Sequence, residues 1–323
     1  MSQFQEYLYQ PGSEQGWQTS TLLDSRLASV EGASLRVWPL RQEHLVQIQK
    51  ALQTLGIERF VLCTDSVSEI SELIIECSVD ERQQGLSKIR EMIVSELSKM
   101  DVNFALMDNA YRAIKPRLMV FDMDSTLIQM ECIDEIARRC GCFEQVAEIT
   151  ERAMQGELDF AQSLRARVAL LNGLPESEFL ALTHSLPVTK GVTEMVAWAK
   201  AHQCQVAVVS GGFIPFVEAL KNKLGLDYAF ANELAVEQEK LTGEVVGEIV
   251  DGGRKRQILM ALREELGLTE HEVWAVGDGA NDLPMLAEAG LGVAFDAKPK
   301  VRAAAYAGIH KADMSELVKL LVG

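Results

Sequence analysis

LMVFDMDSTLI, residues 118–128, is the stretch from which the fold of this chain can be predicted. Its first four residues are apolar, which is typical of a short strand buried on both faces of a parallel sheet. Asp122 ends the apolar run, and Asp124 follows two positions later. Because side chains two apart on extended backbone point the same way, both carboxylates are aimed into one small space. Like charges that close raise each other's pKa, so either a metal ion lies there or one acid stays protonated.

Two later apolar runs also lead into small or acidic polar groups. Residues 206–209 run into Ser210, and residues 273–276 run into Gly277 and Asp278. Helical patterns separate these runs, and alternating strands and helices predict an α/β fold with a doubly wound parallel sheet. Such sheets bind ligands outside the carboxyl ends of their strands, so we expect Asp122, Ser210 and Asp278 to converge there.

A helical block separates the first of these strands from the second. Apolar residues recur every three or four positions in segments near 131–140, 143–155, 159–172 and 176–184. We therefore expect a helical cap at about 129–187, placed to cover the strand ends.

The N-terminal part has a different pattern. Residues 35–40, 59–63, 72–77 and 102–107 favour strands, whereas 41–55 and 81–100 favour amphipathic helices; residues 1–33 show only weak periodicity. The order βαββαβ resembles a ferredoxin-like or ACT-type module. We predict an N-terminal ACT-like domain at 1–112 and a second domain at 113–323. ACT-type modules bind amino acids or mediate dimers, so an amino-acid-sensing role, a homodimer and a simple packing role all stay open.

Composition excludes several classes of partner. The 323 residues carry a formal net charge of −16, which argues against binding to nucleic acid or to an anionic membrane. No apolar run approaches membrane-spanning length, and the first residues do not resemble a signal peptide. The six cysteines form no C-x-x-C pair, which fits free thiols in a reducing cytoplasm. We expect a cytoplasmic protein whose anionic ligands are attracted by local cations or a metal.

The acidic residues at the strand ends form an all-oxygen set. VGDGAND, residues 276–282, adds Asp278 and Asp282 to Asp122 and Asp124. Oxygen ligands without histidine or cysteine suit Mg²⁺. A dinucleotide fingerprint is rejected because Asp282 replaces the third glycine and would repel a pyrophosphate.

Two features suggest a phosphate. Lys255 lies among three cations at a predicted helix start, where a bound anion is favoured, although its two neighbours are equally well explained as solvated side chains. Ser210, Gly211 and Gly212 follow a strand and offer a hydroxyl group and free backbone N–H groups.

Arg167 interrupts the apolar stripe of its predicted helix, seven residues after Phe160. Such a guanidinium needs either a route to water or an anionic partner, which is a bound carboxylate or an internal salt bridge such as one to Glu131. Glu131 itself is either an ordinary first-turn acid of a helix or the partner of an ammonium group.

These residues carry a family resemblance. DMDST (122–126), SGG (210–212), Lys255 and GDGAND (277–282) resemble the four motifs of haloacid dehalogenase-type phosphatases. SLRARV (163–168) and VVSGGF (208–213) are similar to the phosphoserine phosphatases within that group. The resemblance covers about residues 116–320. It implies a Rossmann-type, haloacid dehalogenase-like fold and Mg²⁺-dependent hydrolysis of O-phospho-L-serine through an aspartyl phosphate, the last step of L-serine biosynthesis.

The resemblance also implies the roles of single residues. Asp122 would be the nucleophile and Asp124 the proton donor. Asp122, the backbone carbonyl of Asp124 and Asp278 would hold Mg²⁺, with Asp282 supporting the metal shell. The remaining residues would bind the substrate: the phosphoryl group by Ser210, Gly211, Lys255 and Asn281, the ammonium by Glu131, the carboxylate by Arg167, and the apolar wall by Met154 and Phe160.

Two rival functions remain at this stage. A phosphotransferase of the same superfamily would pass the phosphoryl group to another hydroxyl. A non-catalytic amino-acid sensor acting through residues 34–110 would not need four catalytic motifs, so sensing is expected only as an added role.

Overall fold

A computed structural model describes residues 4–9, 17–20, 32–57, 60–65, 70–76, 87–111, 113–311 and 313–322. The described strands form one 13-stranded sheet in the order β10-β9-β8-β7-β11-β12-β13-β6-β3-β5-β4-β1-β2. Their bounds are β1 Phe4–Tyr9, β2 Trp17–Ser20, β3 Gly32–Trp38, β4 Phe60–Asp65, β5 Ser71–Glu76, β6 Asn103–Asp108, β7 Leu118–Phe121, β8 Gln205–Phe213, β9 Tyr228–Glu237, β10 Lys240–Val246, β11 Val273–Gly277, β12 Leu291–Phe295 and β13 Ala307–Ile309.

The part of the sheet from β9 to β13 is parallel, as the sequence predicts. β7 lies between β8 and β11, and its side chains alternate between two cores. Met119 and Phe121 belong to the core on one face, whereas Leu118 and Val120 belong to the core on the other. Four apolar residues in a row are therefore required because the strand is buried on both faces.

Helices cover both faces of this parallel part. The helices outside the cap are α7 Val192–Ala201, α8 Ile214–Leu224, α9 Gly252–Glu265, α10 Leu283–Glu288, α11 Pro299–Ala304 and α12 Ser315–Val322. Among the described residues, none of the helices is both long enough and apolar enough to cross a membrane.

The predicted helical insertion lies between β7 and β8. It consists of α3 Cys132–Cys140, α4 Phe143–Met154, α5 Phe160–Ala169, α6 Glu176–Ala181 and a short 3₁₀ helix, Leu182–Ser185. Phe179 of α6 makes edge-to-face contacts with Phe213 and Phe216, which anchors the insertion to β8 and α8. The insertion is called the cap below.

The N-terminal part contains α1, Gln42–Thr54, and a helix made of a π-helical turn, Arg90–Val94, followed by Ser95–Leu97 (together α2). From residue 32 to residue 108 the described order is β-α-β-β-α-β, in line with the predicted elements. Residues 81–86 of the predicted second helix lie outside the described residues. Both helices share an apolar core with β3, β5 and β6.

Two strands near the N-terminus were not predicted. β1 pairs antiparallel with β2 and with β4 at the edge of the sheet. Edge pairing rests on backbone hydrogen bonds, which leave little apolar pattern in the sequence.

The short strand β13 was also not predicted, and it joins the two parts of the chain into one sheet. It pairs antiparallel with β6. Side chains reinforce this junction, since Trp38 Nε1 donates to Glu316 Oε2 (2.7 Å) and Arg302 donates to the carbonyl oxygen of Val102. The predicted domain boundary between residues 112 and 113 stays a prediction, because the sheet continues from one part of the chain to the other through the pairing of β13 with β6.

Candidate active site

Three polar groups meet at the carboxyl ends of neighbouring strands. Asp122 follows β7, Ser210 lies near the end of β8, and Asp278 follows β11. β7 pairs with both β8 and β11, so the three strand ends lie side by side. The residues that follow β7, 122–126, are called the acidic loop below. The backbone N–H of Asp122 donates to the carbonyl oxygen of Val276 (2.9 Å), which fixes the start of this loop against β11.

Three carboxylates and one lysine form the deepest part of the site. Asp122, Asp278 and Asp282 each place an oxygen within 4.8 Å of the other two. Lys255, near the start of α9, is completely buried, and its Nζ lies 2.7 Å from Asp122 Oδ1 and 2.7 Å from Asp282 Oδ1. Asp282 Oδ2 accepts a hydrogen bond from the Gly279 N–H (3.0 Å). Both oxygens of Asp282 are therefore engaged by protein groups.

The two oxygens of Asp122 differ. Oδ1 accepts hydrogen bonds from the Met123 N–H and from Lys255, each at 2.7 Å. Oδ2 has no hydrogen-bond partner among the residues that the structure describes. One oxygen thus fixes the carboxylate, and the other is open to a ligand.

This cluster carries more negative charge than Lys255 offsets. Burial, followed by Asp282, raises the pKa of Asp122 well above its usual range despite the opposing effect of Lys255. Burial and Asp282 likewise raise the pKa of Asp278 to about 7. Burial alone would lower the pKa of Lys255, but Asp122 and Asp282 raise it above the ordinary lysine value. A site of close oxygen donors with uncompensated charge fits a divalent cation.

Asp124 is turned away from this cluster. Its Oδ1 accepts a hydrogen bond from Cys132 Sγ (3.0 Å), and its Oδ2 accepts one from the Cys132 N–H (3.1 Å). Burial, then the nearby Glu131, raises the pKa of Asp124 to about 7, although the Cys132 hydrogen bonds oppose this rise. Asp124 can therefore hold or release a proton near neutral pH.

Two further residues hold the acids, and the sequence analysis missed both. Thr126 is fully buried, and its Oγ1 donates to Asp278 Oδ1 (3.3 Å). Thr126 could have been found from the sequence, because it is a hydroxyl residue within the DMDST motif. Cys132 opens α3, where free N–H groups of a helix N-terminus attract a carboxylate, but its thiol contact left no sequence signal.

The loop that follows Ser210 leaves little room for side chains at Gly211 and Gly212. A Cβ at Gly211 would lie 2.8 Å from Phe160 Cζ, and one at Gly212 would lie 3.1 Å from Ser210 Oγ. The Gly212 N–H donates to Ser210 Oγ (2.9 Å). Phe160, at the start of α5, thus brings the cap against this loop.

Arg167 in α5 has no salt bridge within the described part of the chain, so the predicted alternative of an ion pair with Glu131 is not found. Among the described residues its side chain makes two long hydrogen bonds, from Nε to the Ser163 carbonyl oxygen (3.4 Å) and from a terminal nitrogen to Thr150 Oγ1 (3.5 Å). Burial lowers the pKa of Arg167, which Asp134 and Glu131 partly counteract. The guanidinium is charged, partly buried and free to take an anion.

Glu131 lies beside the acidic loop. Ser125 Oγ donates to its Oε1 (2.8 Å), and Ser125 itself has a positive φ of 57°. Partial burial raises the pKa of Glu131, and the negative charge of Asp134 adds to this rise. The hydrogen bond from Ser125 opposes it. Its carboxylate is held in a defined orientation near Asp124.

For two predicted site residues, Met154 and Asn281, the described part of the structure shows no side-chain hydrogen bond to the acidic cluster or to Arg167. Met154, at the end of α4, is 68% exposed, so it does not line a closed pocket in this conformation. Asn281 lies in the 3₁₀ helix Ala280–Asp282, where its side chain is folded against Gly279.

Comparison with known proteins identifies the family of this chain. The profile of the haloacid dehalogenase-like hydrolase family matches residues 116–290. A phosphoserine phosphatase of Vibrio cholerae is 48% identical over 225 residues, which are 70% of this chain and 69% of that protein. A solved phospho-aspartyl intermediate analogue of phosphoserine phosphatase is 46% identical with a TM-score of 0.60, covering 64% of this chain and 98% of that chain.

The similarity to one solved structure extends into the N-terminal part. The unliganded form of a probable phosphoserine phosphatase from Vibrio cholerae is 38% identical with a TM-score of 0.65, and the match covers 92% of this chain and 87% of that chain. This chain therefore belongs to the haloacid dehalogenase-like hydrolases, and within that family it groups with the phosphoserine phosphatases.

Proposed function

We propose that this protein is an Mg²⁺-dependent phosphoserine phosphatase that converts O-phospho-L-serine and water to L-serine and inorganic phosphate. The observation that carries the proposal is the pairing of a buried nucleophile site, Asp122 with Lys255, with an unpaired Arg167 in the cap. A substrate-bound phosphoserine phosphatase that is 46% identical to this chain supports the same substrate. The reaction is the hydrolytic step that ends L-serine biosynthesis.

The first step transfers the phosphoryl group to the protein. The open oxygen of Asp122, Oδ2, attacks phosphorus while its Oδ1 stays fixed by Lys255 and the Met123 N–H. The bond between phosphorus and the serine oxygen breaks, and protonated Asp124 gives its proton to that oxygen. The pKa of about 7 suits Asp124 for this exchange near neutral pH.

The second step regenerates the carboxylate. Asp124, now ionised, takes a proton from water, and the hydroxyl oxygen attacks the phosphorus of the aspartyl phosphate. The bond between phosphorus and the Asp122 oxygen breaks, which releases inorganic phosphate. Splitting the reaction in this way replaces one difficult displacement by two easier ones.

The acidic cluster would hold Mg²⁺ through Asp122, Asp278 and the backbone carbonyl of Asp124. Asp282 has both oxygens engaged by protein groups, so its role would be to support the cluster and Lys255. A bound Mg²⁺ would offset the repulsion between an anionic nucleophile and an anionic phosphate. Ser210, the Gly211 N–H, Asn281 and Lys255 would bind the phosphoryl oxygens.

The amino-acid end of the substrate would be recognised by the cap and the loop beside it. Glu131 would take the ammonium group, and Arg167 would take the carboxylate with its two-pronged guanidinium. Phe160 would form the apolar wall together with Met154, which would be covered only when the cap closes over a substrate.

We further infer that residues 1–112 form an ACT-like module, that residues 113–323 form the phosphatase domain, and that the protein is a homodimer. The order β-α-β-β-α-β over residues 32–108 supports the module.

Phosphate release from a panel of phosphomonoesters, with Mg²⁺ and with chelator, tests the proposed function. O-phospho-L-serine should be preferred over phosphoethanolamine, which lacks the carboxylate, and over the phosphate ester of 3-hydroxypropionate, which lacks the ammonium. Equal rates on all three esters would refute the substrate. Phosphohomoserine formed from phosphoserine and homoserine, in place of free phosphate, would instead identify a phosphotransferase.

A further inference from the structure

The loop that carries Ser210 and Gly211 is a bulge in the sheet. In the β8–β9 pairing, Val209 lies opposite Phe230 and Phe213 lies opposite Asn232, so residues 210–212 face a single residue of β9. A bulge removes carbonyl groups from the regular ladder, and buried carbonyl groups need other partners.

Asn232 supplies these partners. Its side chain is buried, with 1% of the residue exposed, and Nδ2 donates to the carbonyl oxygens of Gly211 (2.8 Å) and Gly212 (3.2 Å). The Gly211 carbonyl and the Gly212 N–H belong to one planar peptide unit and point in opposite directions. Holding the carbonyl therefore directs the N–H towards Ser210 Oγ, which it meets at 2.9 Å.

The other end of the same amide reaches the segment that leads to Lys255. Asn232 Oδ1 accepts a hydrogen bond from the Val250 N–H (2.8 Å). The next residue, Asp251, caps α9: its Oδ1 accepts from the Arg254 N–H and its backbone carbonyl accepts from the Lys255 N–H, both at 2.8 Å. One buried amide thus connects the loop of Ser210 with the first turn of the helix that carries Lys255.

We propose that Asn232 is a positioning residue for phosphoryl binding, which fixes the Ser210–Gly211 loop relative to Lys255 without touching the substrate. The proposal rests on the proposed function, in which these three residues bind the phosphoryl oxygens. Both Nδ2 protons of Asn232 are donated to the two glycine carbonyls, so neither is available to a ligand.

Asn232→Ala tests the proposal, and Asn103→Ala is a matched control. Asn103 is also buried and also joins two segments, since its Nδ2 donates to Glu316 (3.0 Å) and its Oδ1 accepts from the His310 N–H (2.7 Å), but it lies at the junction with the N-terminal part. Inorganic phosphate and L-serine serve as inhibitors that probe the two ends of the substrate separately.

For Asn232→Ala we expect the inhibition constant of phosphate and the KM of phosphoserine to rise by about tenfold or more, because displaced binding groups lose much of their effect. The inhibition constant of L-serine should change by less than about twofold, and Asn103→Ala should change neither constant by more than that. A folded Asn232→Ala protein with unchanged phosphate inhibition would overturn the proposal. Equal losses for phosphate and serine would overturn it too, because they would indicate general damage.

Two further measurements cover the remaining outcomes. If the wild-type protein hydrolyses none of the phosphomonoesters, the proposed function fails, whereas calorimetric phosphate binding to wild type and Asn232→Ala still tests the positioning role. If Asn232→Ala does not fold, the side-chain amide resonances of Asn232 in the wild-type protein decide. They should shift when phosphate is added, and unchanged resonances at saturating phosphate would contradict the proposal.

Discussion

The proposed phosphate end of the site, around Lys255, and its proposed amino-acid end, around Arg167, are built differently. At the phosphate end, Lys255 and Asp282 are completely buried, Asp122 is 5% exposed, and each is held by contacts of 3.0 Å or less. At the amino-acid end, Arg167 makes only contacts of 3.4 and 3.5 Å, and Met154 is 68% exposed. The sheet thus holds its polar groups by short contacts, whereas the guanidinium of Arg167 in the cap has no salt bridge among the described residues and so keeps its capacity to bind an anion.

This difference separates two kinds of substitution. Changes at the phosphate end should affect every phosphomonoester, because all of them present the same group to the sheet. Changes at the cap should affect only esters that carry a carboxylate or an ammonium.

Asp122→Asn should have the largest effect. It removes the proposed nucleophile, so hydrolysis of phosphoserine and of simple phosphomonoesters should both fall by about 10⁴-fold or more. Steady-state phosphate release measures the loss, and Asp101→Asn, which changes an exposed partner of Lys311, is the control. An Asp122→Asn protein with a tenth of the wild-type rate would exclude Asp122 as the nucleophile.

Arg167→Ala should have the next largest effect, and it should depend on the substrate. The value of kcat/KM should fall by about 10²-fold for phosphoserine, because a charged two-pronged contact is lost. For phosphoethanolamine, which has no carboxylate, it should stay within about twofold. The ratio of the two kcat/KM values is the measurement.

Arg165→Ala is the control for this prediction, since Arg165 is exposed on the same helix. A similar loss on both esters in Arg167→Ala would mean that Arg167 supports the cap instead of reading the substrate.

The two ends also differ in how far the sequence could predict them. The run 118–121 predicts a doubly buried strand because apolar residues at every position leave no solvated face, and the sheet then places Asp122 at the strand end. Strand geometry does not place Asp124, which was expected to point into the same space as Asp122 but contacts Cys132 instead. The thiol of Cys132 and the amide of Asn232 could not be predicted, because each acts on a segment brought close only by the fold. β13 was missed for a similar reason: it has three residues, and its partner β6 lies about 200 positions earlier in the chain.

The stabilisation of the folded protein by Mg²⁺ should depend on pH, because the acidic cluster binds protons when no metal is present. Asp124 and Asp278 have pKa values of about 7 in the folded protein against 3.8 as the ordinary value. Between these values the folded state binds more protons than the unfolded state, so both groups lower the unfolding free energy as pH rises to about 7. Bound Mg²⁺ would oppose this effect at Asp278, because it needs an ionised carboxylate as its ligand.

Melting temperatures with and without Mg²⁺ at pH 6 and pH 8, at constant ionic strength, measure this effect. The Mg²⁺-induced increase in Tm should be larger at pH 8, and Asp278→Asn should remove most of the increase. An equal increase at both pH values would contradict the assignment of Mg²⁺ to these carboxylates.

Cys132→Ala should have the smallest effect, and it tests how far the ordering of the phosphate end extends towards the cap. Burial and Asp124 raise the pKa of the Cys132 thiol, so it stays protonated and donates to Asp124. Its loss leaves the backbone N–H in place, and one net hydrogen bond of about 0.5–1.5 kcal/mol corresponds to a decrease in kcat of about 2- to 10-fold.

The direction of the pH shift distinguishes this role from simple packing. The Cys132 hydrogen bonds favour ionised Asp124, so removing the thiol should raise the pKa of Asp124 and move its limb of the pH–rate profile to higher pH. Cys204→Ala is the control, because Cys204 is also buried but its thiol faces the Gln205 carbonyl oxygen (3.6 Å). A Cys132→Ala enzyme with a slower rate and an unmoved pH profile would show that the thiol only fills space, and that Asp124 is held by the helix N-terminus alone.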